Sequence, residues 1–235
     1  MTRERKVYAL AASRGDFEPM RARLESATGA RFLLVKSRSE LSADFLEKHG
    51  ISRIFLPHWS HIIPASVYEK HECVIFHMTD LPFGRGGSPL QNLIARGIYE
   101  TKISALRCVK ELDAGPIYMK APLDLKGSAE QILSRAYSII EIMIADLINI
   151  NPPAIPQDGP VTVFRRRVPE NSRLDGCSSP RELYDRIRML DADGYPHAFF
   201  ETESFRVEFT RASLSADSVS AEARLTPKPR SPDAK

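Results

Sequence analysis

The sequence contains few cysteines, and none of them is placed to bind a metal ion or to form a redox pair. Among its 235 residues there are three, Cys73, Cys108 and Cys177, which are widely spaced and form no CxxC motif. Separated thiols in odd number are typical of proteins from a reducing compartment. We therefore expect free thiols and a cytoplasmic protein.

The sequence also lacks a long uninterrupted apolar run. Its most apolar stretch, residues 131–150, contains Ser134, Arg135, Ser138, Glu141 and Asp146 among its polar and charged residues. This stretch predicts an amphipathic or core helix and not a membrane span. The first residues, MTRERK, lead into a strand-like segment without the apolar core of a signal peptide. No association with a membrane is expected.

A strong charge of one sign is absent as well. Lys and Arg total 33 against 30 Asp and Glu, a net charge of +3, whereas nucleic-acid-binding proteins usually carry a marked or clustered basic excess. No nucleic acid partner is therefore expected. The GxGxxG, P-loop and HExxH motifs are missing too. What is present, 43% apolar and 27% charged residues, is the composition of a soluble globular protein.

Short apolar runs alternate with helical patterns over the first hundred residues. The runs at residues 6–12, 31–35, 51–56 and 73–77 are typical of buried strands. This alternation predicts an α/β fold with an open, mainly parallel, Rossmann-like sheet and helices on both faces.

The second half predicts a different organisation. A long helix over residues 128–150 closes a first domain, residues 1–150. Residues 151–160 carry four prolines and one glycine and form a connector. Residues 161–211 follow as a small, β-rich appendage with one helix. The tail, residues 212–235, has no aromatic residue and no Ile, so we expect it to be disordered.

Two segments could carry chemistry. The strand over residues 73–77 ends at His77, and a loop rich in polar residues and glycine follows it. The carboxyl ends of parallel strands are where such sheets bind ligands. The second segment, Leu112-Asp113-Ala114-Gly115, places a carboxylate among apolar residues, where it needs a cationic partner. His77 and Asp113 together form a candidate proton-handling pair.

These segments resemble the folate-dependent formyltransferases. In that family a strand ends in Asn-x-His, a Leu-Pro-x-x-Arg-Gly-x-x-Pro loop follows, and an Asp-x-Gly segment comes later. Here His77 precedes the sequence LPFGRGGSP at residues 81–89, and Asp113 lies 36 positions after His77. The resemblance covers roughly residues 50–211 and implies that residues 1–150 form the catalytic domain.

The resemblance also implies a cofactor and a set of site residues. The formyl donor would be 10-formyltetrahydrofolate, with no metal ion required. His77 and Asp113 would be catalytic. The residues expected to bind the folate are His61, Ile62, Ile63, Leu81, Arg85, Gly86 and Leu112.

Within the family the resemblance extends to enzymes that formylate nucleotide-linked amino sugars. The segments FRRRVPENS at residues 164–172 and IRMLDADGYPHAF at residues 187–199 are similar to theirs. A nucleotide-linked amino sugar is therefore the expected acceptor. A homodimer stays open as the oligomeric state. Initiator tRNA and glycinamide ribonucleotide stay open as alternative acceptors.

One position departs from the family pattern. Ile75 stands where the family has its Asn, and an Ile side chain cannot donate a hydrogen bond to an oxyanion. Losing one such donor costs about 10² to 10³ in rate in other enzymes. Either Thr79 or a backbone N–H replaces it, or the chain is a catalytically silent module that binds folate and nucleotide.

Overall fold

A computed structural model describes residues 5–229 of the chain. Its helices are α1 (Glu18–Thr28), α2 (Ala43–Lys48), α3 (Ala65–Tyr68), α4 (Pro89–Ile94), α5 (Ala129–Asn149) and α6 (Pro180–Arg188). Its strands are β1 (Val7–Ala12), β2 (Arg31–Val35), β3 (Ile51–His58), β4 (Glu72–His77), β5 (Arg85–Gly86), β6 (Glu100–Arg107), β7 (Ile117–Asp124), β8 (Val163–Phe164), β9 (Ala198–Glu201), β10 (Phe205–Leu214) and β11 (Val219–Pro227). A short 3₁₀ helix covers Pro169–Ser172. Within residues 5–229, no helix has both the length and the apolar character needed to cross a bilayer.

The predicted α/β fold is confirmed. A six-stranded sheet has the order β2-β1-β3-β4-β6-β7, and the pairings among β2, β1, β3 and β4 are all parallel. β6 pairs with β4 in antiparallel direction, so the sheet is mixed at the side that carries β6 and β7. The parallel strands are apolar along nearly their whole length because side chains on both of their faces are buried.

Several helices begin or end where the sequence supplies a cap. Ser42 precedes α2, and its hydroxyl accepts a hydrogen bond from the backbone N–H of Phe45. Ser179 does the same for α6 by accepting from Glu182 N, and Pro180 occupies the first helical position. These contacts satisfy N–H groups that the helix itself leaves without a partner.

The chain divides into two compact units whose segments interleave in the sequence. The first unit contains the described residues up to Gly86, Thr101–Leu123 and Arg135–Phe164. The second contains Gly87–Glu100, Asp124–Ser134 and the described residues from Arg165 onward. This division differs from the predicted boundary after residue 150. A single boundary at a proline-rich stretch cannot describe units that are each built from several separate segments of the sequence.

The prediction that residues 212–235 are disordered is wrong for most of that segment. β10 continues to Leu214, and Val219–Pro227 forms β11, which pairs with β10 in antiparallel direction. Nearly all side chains of β11 are exposed. Backbone hydrogen bonds to β10 order this strand, so it does not need the apolar side chains whose scarcity suggested disorder. Residues 230–235 of the predicted tail lie outside the described residues.

A buried ion pair joins three segments of the second unit. The guanidinium of Arg188 donates to Asp185 Oδ1 at 2.7 Å and to the carbonyl oxygens of Leu125 and Gly127 at 2.6 and 2.8 Å. The hydroxyl of Tyr99 donates to the other carboxylate oxygen of Asp185 at 2.7 Å. Both charges are almost fully removed from solvent, so each depends on these partners.

Replacing Arg188 by Met should therefore lower the free energy of unfolding by about 3–5 kcal/mol, because Asp185 loses its cation while it stays buried. The same replacement of the exposed Arg224 on β11 should change it by no more than about 0.5 kcal/mol. Urea unfolding monitored by circular dichroism measures both variants. Equal, small losses would mean that the pair contributes little.

Candidate active site

His77 is the last residue of β4, at the carboxyl end of a parallel strand. Its side chain is only 7% exposed, and Nε2 lies 2.8 Å from the carbonyl oxygen of Gly84 in the loop that follows β4. A carbonyl oxygen can only accept a hydrogen bond, so Nε2 carries the hydrogen. Nδ1 is then the nitrogen of the neutral ring that is available to accept a proton.

Asp113 reaches His77 from the loop between β6 and β7. Its Oδ2 lies 3.6 Å from His77 Nδ1, and the same oxygen accepts a hydrogen bond of 2.9 Å from the backbone N–H of Gly86. The residue adopts a left-handed backbone conformation with φ of 51°, which Asp tolerates better than most residues. The two residues expected to handle protons are thus together, and Asp113 is 8% exposed.

Gln157 holds this arrangement and was not predicted. Its amide nitrogen donates to the carbonyl oxygens of Asp113 and Gly115, both at 2.8 Å. Its amide oxygen accepts two hydrogen bonds from the guanidinium of Arg85, at 2.8 and 3.1 Å. One side chain therefore ties the Asp113 loop to the loop after β4. Gln157 lies in the proline-rich connector, whose composition indicates only a turn or a linker.

Two glycines permit the close approach of these loops. A Cβ on Gly86, where φ is 104°, would lie 2.4 Å from the carbonyl oxygen of Phe164, and one on Gly115 would lie 1.8 Å from that of Arg107. Both distances are far below van der Waals contact, so neither position accepts a side chain without displacing backbone.

The segment from Thr162 to Phe164 holds the loop after β4. The N–H groups of Gly84 and Arg85 both donate to the carbonyl oxygen of Thr162, at 3.0 and 2.9 Å. β5 then pairs with β8. The Phe164 ring is buried and packs against Phe83 with a centroid distance of 5.5 Å. These contacts fix the carbonyl of Gly84 that orients His77.

Thr79, expected to replace the missing oxyanion donor, is fully buried. Its hydroxyl lies 3.4 Å from the carbonyl oxygen of Gly84, and its own carbonyl oxygen accepts from Ser104 Oγ at 2.7 Å. A hydroxyl in this position supports the loop and is not presented to a substrate. The structure therefore does not support the expected role of Thr79 as a donor to the reacting oxygen.

Ile75 lies between leucines on both neighbouring strands. It pairs in register with Leu56 of β3 and Leu106 of β6, and it packs against a buried apolar cluster of the first unit that includes Leu56. Ile75 itself is only partly buried, and its neighbours in the sheet on both sides are apolar. The Ile is thus consistent with its surroundings.

The residues expected to bind folate differ in their exposure. Ile62 is 73% and Leu112 59% exposed, His61 is exposed, and Arg85 and Gly86 are partly exposed. Ile63 and Leu81 are instead buried in the core. The ring of Trp59 packs edge-on to His61 at 5.5 Å, and its buried Nε1 has no hydrogen-bond partner among the described residues. Residues 5–229 contain no group of three or more His, Cys, Asp or Glu side chains that could hold a metal ion.

A methionyl-tRNA formyltransferase from Clostridium thermocellum has a solved structure that superposes on this chain with a TM-score of 0.91. The two are 39% identical, and the match covers 95% of this chain and all of the other. The chain belongs to the formyltransferase family. A family profile described as the methionyl-tRNA formyltransferase C-terminal domain matches residues 169–226, which include residues that were expected to be disordered.

Other members of the formyltransferase family are more distant. The methionyl-tRNA formyltransferase of Rickettsia africae is 27% identical over 189 residues, which are 77% of this chain and 61% of that enzyme. The chain thus spans about three fifths of this curated relative. A sugar N-formyltransferase from Shewanella shares the fold, with a TM-score of 0.69, 13% identity and coverage of 89% of this chain and 98% of the other.

The pKa of Cys108 depends on the charge of Asp113. Burial and, to a smaller extent, the negative charge of Asp113 together raise this pKa to about 11. The substitution Asp113→Asn should therefore lower the Cys108 pKa and speed alkylation by iodoacetamide at pH 9, while burial keeps the pKa above the ordinary thiol value. Peptide mass spectrometry can follow the rate, with Cys177 as the internal reference because Asp113 does not contribute to its pKa. An unchanged Cys108 rate would contradict a charged Asp113 beside it.

Proposed function

We propose that the chain transfers a formyl group from 10-formyltetrahydrofolate to the amine of a nucleotide-linked amino sugar. The observation that carries this proposal is the buried pair of His77 Nδ1 and Asp113 Oδ2, 3.6 Å apart, at the carboxyl end of β4. A basic imidazole nitrogen beside a carboxylate can take a proton from an attacking amine.

His77 and Asp113 have different roles in this reaction. Bound 10-formyltetrahydrofolate supplies the formyl carbon, to which the acceptor nitrogen forms its new bond. His77 Nδ1 accepts the proton that this nitrogen loses, and Asp113 stabilises the imidazolium that results. His77 then returns the proton to the donor nitrogen as the bond from that nitrogen to the formyl carbon breaks. Gly84 keeps the ring in the orientation that both transfers require.

Several features of the first unit fit a flat heteroaromatic ligand. Ile62 and Leu112 expose apolar surface, and Trp59 has a buried N–H without a partner among the described residues. Ring systems of this kind combine apolar faces with polar edges, and binding sites for them combine apolar walls with a few donors. Ile62, Leu112 and Arg85 are the residues proposed to hold the folate.

The charge of the chain supports a small acceptor over a tRNA. Its net charge is only +3, whereas recognition of the phosphate backbone depends on many Lys and Arg contacts. The tRNA acceptor is favoured by the identity to the Clostridium protein, and it is the second candidate.

The experiment incubates the protein with 10-formyltetrahydrofolate and a panel of nucleotide-linked amino sugars, with initiator methionyl-tRNA in parallel. Mass spectrometry should detect one added formyl group on a nucleotide-linked sugar. His77→Ala and Asp113→Ala should each lower turnover by about 10²-fold or more, because both act on the transferred proton. Matched circular dichroism spectra and melting temperatures would show that both variants fold.

Other results contradict the proposal in distinct ways. Formylation of the tRNA alone would leave the chemistry in place and exclude the sugar acceptor. Near wild-type turnover by folded His77→Ala would exclude the mechanism. Tight folate binding with no formylation of any acceptor would instead indicate the silent module that Ile75 suggests.

Gln157 should act on turnover more than on substrate binding. The substitution Gln157→Leu removes the hydrogen bonds that hold the Asp113 loop, and the carboxylate then loses its alignment with His77. We expect kcat to fall about tenfold or more with a small change in KM. The amide exchange of Gly86 should also become faster. Unchanged kcat would show that the loop keeps its position without Gln157.

A further inference from the structure

Three arginines of the second unit, Arg167, Arg96 and Arg186, lie near one another. Burial lowers the pKa of Arg167, and the positive charges of Arg186 and Arg96 lower it further. Arg186 forms an ion pair of 3.2 Å with Glu182. Within residues 5–229, no carboxylate lies within ion-pair distance of Arg167.

The side chain of Arg167 is held in place but incompletely paired. Its backbone N–H donates to Ser88 Oγ at 3.1 Å, and its Nη2 donates to the carbonyl oxygen of Asn171. Its Nε is buried and has no hydrogen-bond partner among the described residues. Leaving such a donor unpaired is costly in a buried position. A guanidinium with unused donors and repelled by other cations is suited to an anionic ligand.

The neighbouring backbone supports the same position. Asn92 of α4 donates from its amide nitrogen to the carbonyl oxygens of Gly87 and Arg165, and Arg96 donates to Asn92 Oδ1 at 3.2 Å. A Cβ on Gly87 would lie 2.6 Å from Arg166 Cβ. The backbone beside Arg167 is therefore closely packed, and the Arg96 side chain is already held by a hydrogen bond.

We propose that Arg167, together with Arg96 and Arg186, binds the diphosphate group of a nucleotide. The planar guanidinium matches two phosphate oxygens at once, and several guanidiniums match a group with more than one negative charge. This proposal does not depend on the proposed formyl transfer.

Titration calorimetry with inorganic pyrophosphate tests the site without a formyl donor. The wild-type protein should bind pyrophosphate, and Arg167→Gln should weaken binding about tenfold or more. Arg167→Lys keeps the charge but loses the planar fork, so its affinity should lie between the two. Arg224→Gln, which removes the same charge from an exposed position on β11, is the matched control and should bind like the wild type. Melting temperatures would verify that each variant folds.

The outcomes separate this site from the proposed reaction. No binding by the wild-type protein, or equal losses in Arg167→Gln and Arg224→Gln, would overturn the site. Unchanged pyrophosphate affinity in Arg167→Gln would also overturn it. Selective loss of pyrophosphate in Arg167→Gln supports the site even if no formyl transfer is found.

Discussion

The close contact between the loop after β4 and the Thr162–Phe164 segment is the constraint on which the candidate site depends. It fixes the two backbone groups that the site uses. The carbonyl oxygen of Gly84 accepts from His77, and the N–H of Gly86 donates to Asp113. Because Gly86 has no side chain, this loop approaches Phe164 closely enough to pair with it. Backbone groups held in this way need little reorganisation when the reaction redistributes charge.

The electrostatics of the pair follow from the same contact. Asp113 is a buried carboxylate, and such a group must be compensated by donors or by a cation. The Gly86 N–H supplies one donor, and His77 supplies positive charge at the moment it accepts a proton. Gln157 is uncharged and does not neutralise the carboxylate. It holds the backbone on which the carboxylate stands, and it does so from a segment remote in sequence.

The local features could be predicted from the sequence, but the features that depend on contacts between distant residues could not. The apolar runs predicted the parallel strands, and the position of His77 at a strand end was correct. Gln157 could not be found because its function arises from hydrogen bonds to backbone carbonyls more than forty positions away. The surroundings of Thr79 depend on packing that composition does not encode. β11 was missed because backbone pairing, and not apolar side chains, orders it.

The position of the hydrogen on the neutral His77 ring decides whether this residue can act as the base. Nitrogen-15 NMR of the imidazole, assigned by comparison with His77→Gln, distinguishes a hydrogen on Nε2 from one on Nδ1. We predict that the neutral ring carries its hydrogen on Nε2, facing the Gly84 carbonyl, and leaves Nδ1 beside Asp113 without one. A neutral ring with its hydrogen on Nδ1 would contradict the account, because Nδ1 could then not accept a proton from the acceptor.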